Sequence, residues 1–311
     1  MIQLFKLSFF ALISDIWPNY SMTPVRDKLL NWLLFFFLAF IWGSSFILMK
    51  EGMKVLSAYQ VASLRMMSAG IVLLPIGIRK LKQVPRKKLG LILLSGLLGS
   101  FFPSFLFCLA EVRISSSVAG FLNALTPIIT IVAGVLFFHT KFPRNRLPGV
   151  LIAFTGMVIL FFGQGYQSLE NILFSSFVLL ATICYAINVN MVTKYLKDVD
   201  STNIAAIACT LLIIPSLIIL WSTGFFSLPL TEIPFLLSTT SAAVLGIGGT
   251  AIASILFYIL LKRAGILFSS MVTYGIPFVA LFWGILAGEN IHAFQIIGLG
   301  VILAGVYITN R

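Results

Sequence analysis

The chemistry open to this chain is set by a few polar side chains stranded in long apolar runs. Arg65 stands eight residues into one such run, and arginine cannot shed its proton to escape the cost. Its helical face carries Ala58, Val61, Ser68 and Ala69. Small residues there predict that Arg65 turns inward, toward backbone carbonyls, asparagine or tyrosine, or toward an anionic part of a ligand. Trp42, Ser45, Asn123, Tyr185, Asn188, Tyr258 and Tyr274 join it as candidate binding residues, with Ser104 and Ser254 beside them. Tyr185 and Asn188 are three apart, and Ser254 and Tyr258 four apart, so each pair shares a helix face. Asn123 and Tyr274 stand about a turn before Pro127 and Pro277. A proline within a helix frees a carbonyl about a turn upstream, so both prolines are expected to serve as hinges beside a polar side chain. Helix-to-helix hydrogen bonding is the competing role for every one of these groups. A cavity lined by amide, hydroxyl and aromatic groups suits a neutral or zwitterionic molecule.

Other chemistries are excluded. The chain has no glycine-rich phosphate loop ending in Lys-Ser/Thr and no Ser/His/Asp set. Cys108, Cys184 and Cys209 all fall inside apolar runs and read as small buried side chains, not as a disulfide or metal site. His139 and His292 sit at the ends of runs and read as interfacial. No enzymatic activity, cofactor or metal is expected. The nine acidic residues also fall outside the runs or at their ends, which argues against the simplest proton-coupled mechanism, one built on a buried carboxylate. Coupling through Glu51, Glu111 or Glu289 at the ends of runs stays open.

The elements that position these residues must be membrane helices. The 311 residues are 59% hydrophobic and 10% charged, against about a quarter charged in a soluble domain. The net charge of +12 sits in short clusters between apolar runs, so nucleic acid is not an expected partner; the lipid bilayer and a small-molecule substrate are. A span needs about 20 apolar residues. Ten are predicted, roughly over 30–49, 57–78, 89–110, 115–138, 147–163, 172–193, 202–222, 239–261, 267–288 and 293–309. The 111–114 gap demands a tight helical hairpin. Residues 4–17 are apolar but carry Lys6 and Asp15, poor for a span or a cleavable signal. Met22, just before Arg26 and Lys28, reads as the start, or else the leader lies on the membrane surface.

With the N-terminus placed in the cytoplasm, sixteen Lys and Arg fall on the cytoplasmic side, among them Arg79, Lys88, Lys194, Lys262 and Arg311. Only Lys50, Lys54 and Arg113 fall opposite. That bias predicts an inner-membrane protein with both termini cytoplasmic.

Residues 94–140 match 244–290 at an offset of 150: Gly96 meets Gly246, Gly99 meets Gly249, Ser104 meets Ser254, Pro127 meets Pro277 and Gly134 meets Gly284. Gly149 and Gly156 meet Gly298 and Gly305 after a one-residue slip; with Ala153, Gly300 and Ala304 they read as close helix packing. A five-span repeat is odd-numbered, so the second copy must run inverted. Inverted repeats recur in secondary transporters, with the substrate site at the midplane between them. The predicted organisation is a leader over 1–28 and five-helix repeats over 29–165 and 166–311.

These residues resemble the drug/metabolite transporter superfamily, in particular EamA-type ten-helix transporters. Trp42-Gly43-Ser44-Ser45-Phe46, Ala62-Ser63-Leu64-Arg65, Ala124-Leu125-Thr126-Pro127, Pro277 and Gly288-Glu289 carry the resemblance. His139 stands where the first repeat of that pattern has a glutamate. The resemblance implies an all-α integral membrane fold of two inverted five-helix repeats. It also implies export of amino acids or related metabolites by alternating access; the residues leave the oligomeric state, monomer or homodimer, open. A lipid flippase or scramblase is the alternative, with Arg65 meeting a phosphate.

Overall fold

The computed structural model describes residues 24–140, 145, 147–162, 169–286 and 293–309. The 1–21 leader, Met22, the basic loop residues Lys141, Arg144 and Arg146, and Glu289 and His292 lie outside the described residues. The chain forms two compact units, Met1–Leu33 and Leu34–Arg311. In the first unit only the opening turns of a helix, over 24–33, are described, and every other described element belongs to the second.

Every regular element among the described residues is helical. In order they are α1 (Pro24–Gly52), α2 (Ala58–Leu81), α3 (Arg86–Gly96), α4 (Phe102–Glu111), α5 (Ser116–Asn123), α6 (Thr126–Phe138) and α7 (Leu147–Phe162). There follow α8 (Leu169–Tyr195), α9 (Ser201–Leu211), α10 (Ile213–Ser222), α11 (Ile233–Val244), α12 (Ala253–Ser270), α13 (Ile276–Leu286) and α14 (Ala293–Thr309). Caps fix several starts. The Ser57 hydroxyl accepts from the Gln60 N–H while the Ser57 N–H donates to the Gln60 side chain, a reciprocal box that opens α2. Asp200 accepts the Thr202 and Asn203 N–H groups at the start of α9.

Six helical stretches are long and apolar enough to cross a bilayer: Arg26–Gly52, Ala58–Leu81, Arg86–Glu111, Leu173–Tyr195, Ser201–Ser222 and Ile233–Trp283. Thr126–Phe138, Leu147–Gly156 and Ile296–Thr309 are shorter apolar helices. The 51-residue stretch is interrupted by Gly265, whose φ of 83° and ψ of 173° no helix contains. The outward surface explains the composition. Phe36, Phe37, Leu136, Phe137, Leu173, Ile214, Ile218, Trp221 and Leu237 are all exposed, an apolar cover that water would not tolerate and hydrocarbon would.

Two helices carry π-helical segments, Leu97–Phe101 between α3 and α4 and Leu245–Ile252 between α11 and α12. Gly99 and Gly249 lie in them, and each segment sits at the same place in the sequence match. The prolines differ from expectation. Pro127 and Pro277 are each the second residue of a new helix, α6 and α13, and not interior to one. The chain leaves helix at Ala124–Leu125 and resumes at Thr126, so Pro127 falls in a first turn, where proline has no N–H to lose. The Thr126 hydroxyl donates to the Asn123 carbonyl at 2.6 Å, satisfying the break.

Tight packing uses the small residues. A Cβ on Gly149 would lie 2.5 Å from the Thr309 nitrogen, one on Gly156 2.6 Å from the Gly298 carbonyl, and one on Gly305 2.3 Å from the Ala153 nitrogen. α7 and α14 therefore touch backbone to backbone. The predicted hairpin after α4 is closed by Arg113 and Ile114, whose N–H groups both donate to Ala110.

Candidate functional site

Within the second unit, helices from before and after residue 165 surround an open cavity. Seven of the eight candidate binding residues line it: Trp42, Ser45, Arg65, Asn123, Tyr185, Asn188 and Tyr258. Both π segments contribute, through Gly99 and Ser100 and through Gly249 and Thr250. Tyr274 does not line it. That ring is only 1% exposed and its hydroxyl has no hydrogen-bond partner among the described residues. Pro127 and Pro277 are buried but are not lining residues either. Ser104 points elsewhere, donating to the Ser100 carbonyl, whereas Ser254 is on the wall.

Hydrogen bonds sort the lining residues into two kinds. One kind is already satisfied. The Ser95 hydroxyl donates to Asn188 Oδ1 at 2.7 Å, Asn188 Nδ2 donates to Tyr258 Oη at 3.2 Å, and Tyr258 Oη lies 2.9 Å from the Ser95 oxygen. Run in that direction, each group gives one proton and receives one, so α3, α8 and α12 are joined by a closed ring. Trp42 Nε1 donates to the Gly249 carbonyl at 3.1 Å and its ring lies 5.3 Å from Phe257. Ser45 donates back to Ile41.

The other kind has donors to spare. Tyr185 stacks on Phe107 with centroids 6.2 Å apart, and its hydroxyl makes no hydrogen bond to the described residues. The Thr126 hydroxyl reaches Asn123 Oδ1 at 3.2 Å, leaving the Asn123 amide nitrogen without an acceptor among the described residues. Arg65 Nε donates to Thr250 Oγ1 at 2.8 Å, and Nη1 has only the Met49 sulfur at 4.0 Å. No acidic side chain is among the residues lining this cavity.

Several lining groups were passed over in the sequence: Thr250, Ser269, Ser270 and Thr273, and the aromatic Phe46, Phe107 and Phe257. A signal existed for three of them, since the 269–274 tract is unusually polar for an apolar run. Ser95, which completes the ring, carried none. Glu111 also departs from a simple end-of-helix reading. It is 7% exposed, and among the described residues Oε1 has no hydrogen-bond partner and Oε2 has the Ser116 hydroxyl at 3.5 Å. Glu111 is not among the residues lining the cavity. Among the described residues no group of three His, Cys, Asp or Glu could hold a metal.

Stacked apolar helices around a partly polar, charge-poor cavity define a multi-pass membrane protein that moves a small molecule. The chain belongs to the EamA-like transporter family, whose model matches residues 30–162 and again 173–311. It is a transporter of small metabolites, in a family of transporters rather than enzymes. A protein of Archaeoglobus fulgidus called an uncharacterized transporter is 26% identical over 90% of this chain and 99% of its own length. The S-adenosylmethionine/S-adenosylhomocysteine transporter of Chlamydia muridarum is 26% identical over 88% of this chain and 89% of its own. One crystal structure is similar with a TM-score of 0.67 and 16% identity, over 89% of this chain and 94% of that one; at that identity the likeness speaks for the fold.

Proposed function

We propose that this chain exports amino acids or related small metabolites across the cell's inner membrane by alternating access, with both termini cytoplasmic and the two halves acting as inverted repeats. The observation that carries this reading is the cavity. It is walled by both family-matched segments, and it holds aromatic faces, unspent hydroxyl and amide donors, and one cation. Such a lining fits a zwitterionic organic molecule and offers little to a bare ion.

The orientation rests on the basic bias, and contacts at the helix ends support the grouping of those ends by side. Lys88 donates to Asp198, Lys262 to the Val199 carbonyl and Lys194 to the Phe138 carbonyl. All of these residues belong to ends that the basic bias assigns to the cytoplasm. Gln60 with Thr223, and Ser238 with Glu51, pair ends assigned to the other side.

The test is uptake into proteoliposomes of radiolabelled S-adenosylhomocysteine, L-methionine and L-phenylalanine, with a fluorescent lipid analogue scored in the same vesicles. Saturable uptake of a metabolite is the expected result. Lipid scrambling without metabolite uptake would overturn it.

A further inference from the structure

We infer that the transported molecule carries a carboxylate, and that Arg65 is the group that anchors it. This rests on the cavity being the substrate site of the proposed export, and deepens that reading.

Arg65 is 8% exposed and lines the cavity. A guanidinium has five N–H donors and no acceptor. Here one donor is used, Nε to Thr250, and one faces a thioether sulfur, a weak acceptor. The remaining Nη donors have no partner among the described residues. No salt bridge among those residues reaches Arg65, and no Asp or Glu lines the cavity around it. Arg65 is not a helix-locking hub, since a hub would spend its donors on carbonyls of neighbouring helices. It is a buried cation whose Nη edge is kept free, held in place through its Nε.

The holding is built in. Thr250 stands in the π segment Leu245–Ile252, and Gly246 of the same segment lies against the backbone of Arg65 itself, where a Cβ would come within 2.2 Å of the Arg65 carbonyl. The arginine is thus fixed at both backbone and Nε, which points the other edge of the fork. A buried cation with no carboxylate in salt-bridge range among the described residues is costly, and a ligand that brings an anion into contact with its Nη edge offsets that cost on arrival.

The charge balance selects the anion. One guanidinium neutralises one negative charge, and its parallel N–H groups match the two oxygens of a carboxylate. A phosphate ester, with nearly two charges, calls for a second cation, and the lining has none. The uncharged donors of Asn123 and Tyr185 and the faces of Trp42 and Phe257 are left for the rest of the molecule.

The experiment is competition against labelled uptake in proteoliposomes, using whichever of the three metabolite probes wild type carries. The competitors are the same metabolite unlabelled and its carboxamide, which keeps the shape and loses the charge. The carboxylate should compete about 10–100-fold better than the amide, the range of one charge-assisted pair. Arg65→Gln should erase that difference, and Arg65→Lys should restore part of it, because lysine keeps the charge without the fork. A second readout needs no variant: the carboxylate should raise the Tm of wild-type protein in detergent and the amide should not. Equal competition and equal Tm shifts for acid and amide overturn the anchor while leaving metabolite transport intact. Absence of uptake of every probe by wild type overturns the export reading, and the anchor with it.

Discussion

Gly246→Ala is the most economical test of how Arg65 is held. The added Cβ would lie 2.0 Å from Ser68 Oγ, 2.2 Å from the Arg65 carbonyl oxygen and 2.9 Å from its carbonyl carbon. Ser68 can rotate away, giving up its contacts with the Arg65 and Ala243 carbonyls. The Arg65 backbone cannot, so α2 and the π segment must part by about 1 Å to reach ordinary contact near 3.4 Å. Overpacking of that kind costs about 1–3 kcal/mol. The same separation stretches the Arg65–Thr250 hydrogen bond, and a bond to a charged group is worth about 1.5–3 kcal/mol. Together these come to about 2.5–6 kcal/mol, and at about 2–4 °C per kcal/mol, the range for large domains, the melting temperature should fall by roughly 5–25 °C.

Gly248→Ala is the matched control, two residues along the same π segment, where an added Cβ meets nothing within 4 Å. It should be neutral. The assay is thermal denaturation in detergent read by size-exclusion chromatography, followed by the acid-versus-amide competition at a permissive temperature. Gly246→Ala should lose selectivity for the acid as well as stability. Melting temperatures for the two variants within about 2 °C of each other would refute the contact and the fixed arginine together.

Three further outcomes are expected. Tyr274→Phe removes a buried hydroxyl with no partner, so Tm should hold or rise by about 1–3 °C with transport unchanged; loss of transport would return Tyr274 to the site. Glu111→Gln replaces a buried carboxylate that has no cation in salt-bridge range among the described residues, and Tm should again hold or rise, whereas a marked fall would reveal a partner for the charge. The Asp198 carboxyl is held below its usual range, first by the hydrogen bond from Lys88. A lowered carboxyl pKa stabilises above the unfolded value and is lost as pH falls through the folded one. Any Tm difference between wild type and Asp198→Asn should therefore be full above about pH 4 and shrink as pH falls further, through the lowered folded pKa; a difference that does not shrink on acidification below about pH 4 would have another source.

Much of this was legible in the residues, for reasons that differ from part to part. Arg65 was readable because a guanidinium in an apolar run has few places to go, and its inward turn follows from the small residues on its face. The apolar runs marked the helices because hydrocarbon demands length and leaves little room for charge. The break before Pro127 was not readable, since Ala124 and Leu125 are good helix formers and only the chain's path decides that helix stops there. The π segments were hidden as well: no residue type requires an extra residue in a turn, although the paired glycines at 96/246 and 99/249 marked the place. Ser95 was hidden because serines are common in membrane helices, and only geometry brings this one to Tyr258. Glu111 misled in the opposite sense, because the end of a helix is not always the edge of the protein.

The paired glycines connect the sequence match to the site. Gly96 lies against Ala208 of α9, and Gly246 against Arg65 of α2. Counted in predicted spans, these are three against seven and eight against two. Gly99 makes room for Asn188, and Gly249 for Ser45, spans three against six and eight against one. Adding five to either member of a pair, around the ring of ten, gives the other pair. Two-fold pseudo-symmetry demands that reciprocity, and chance agreement between apolar helices would not produce it, so the contacts favour the proposed repeat of two copies. The symmetry then fails where chemistry is needed. Gly96 meets a methyl group where Gly246 meets the backbone of a cation, and Gly99 faces an amide where Gly249 faces a hydroxyl. Under the proposed export by alternating access, one cavity is offered to both sides of the membrane, so the scaffold can repeat while the inferred carboxylate needs only one anchor. The single arginine on the second span, with no counterpart on the seventh, is what such a division of labour requires.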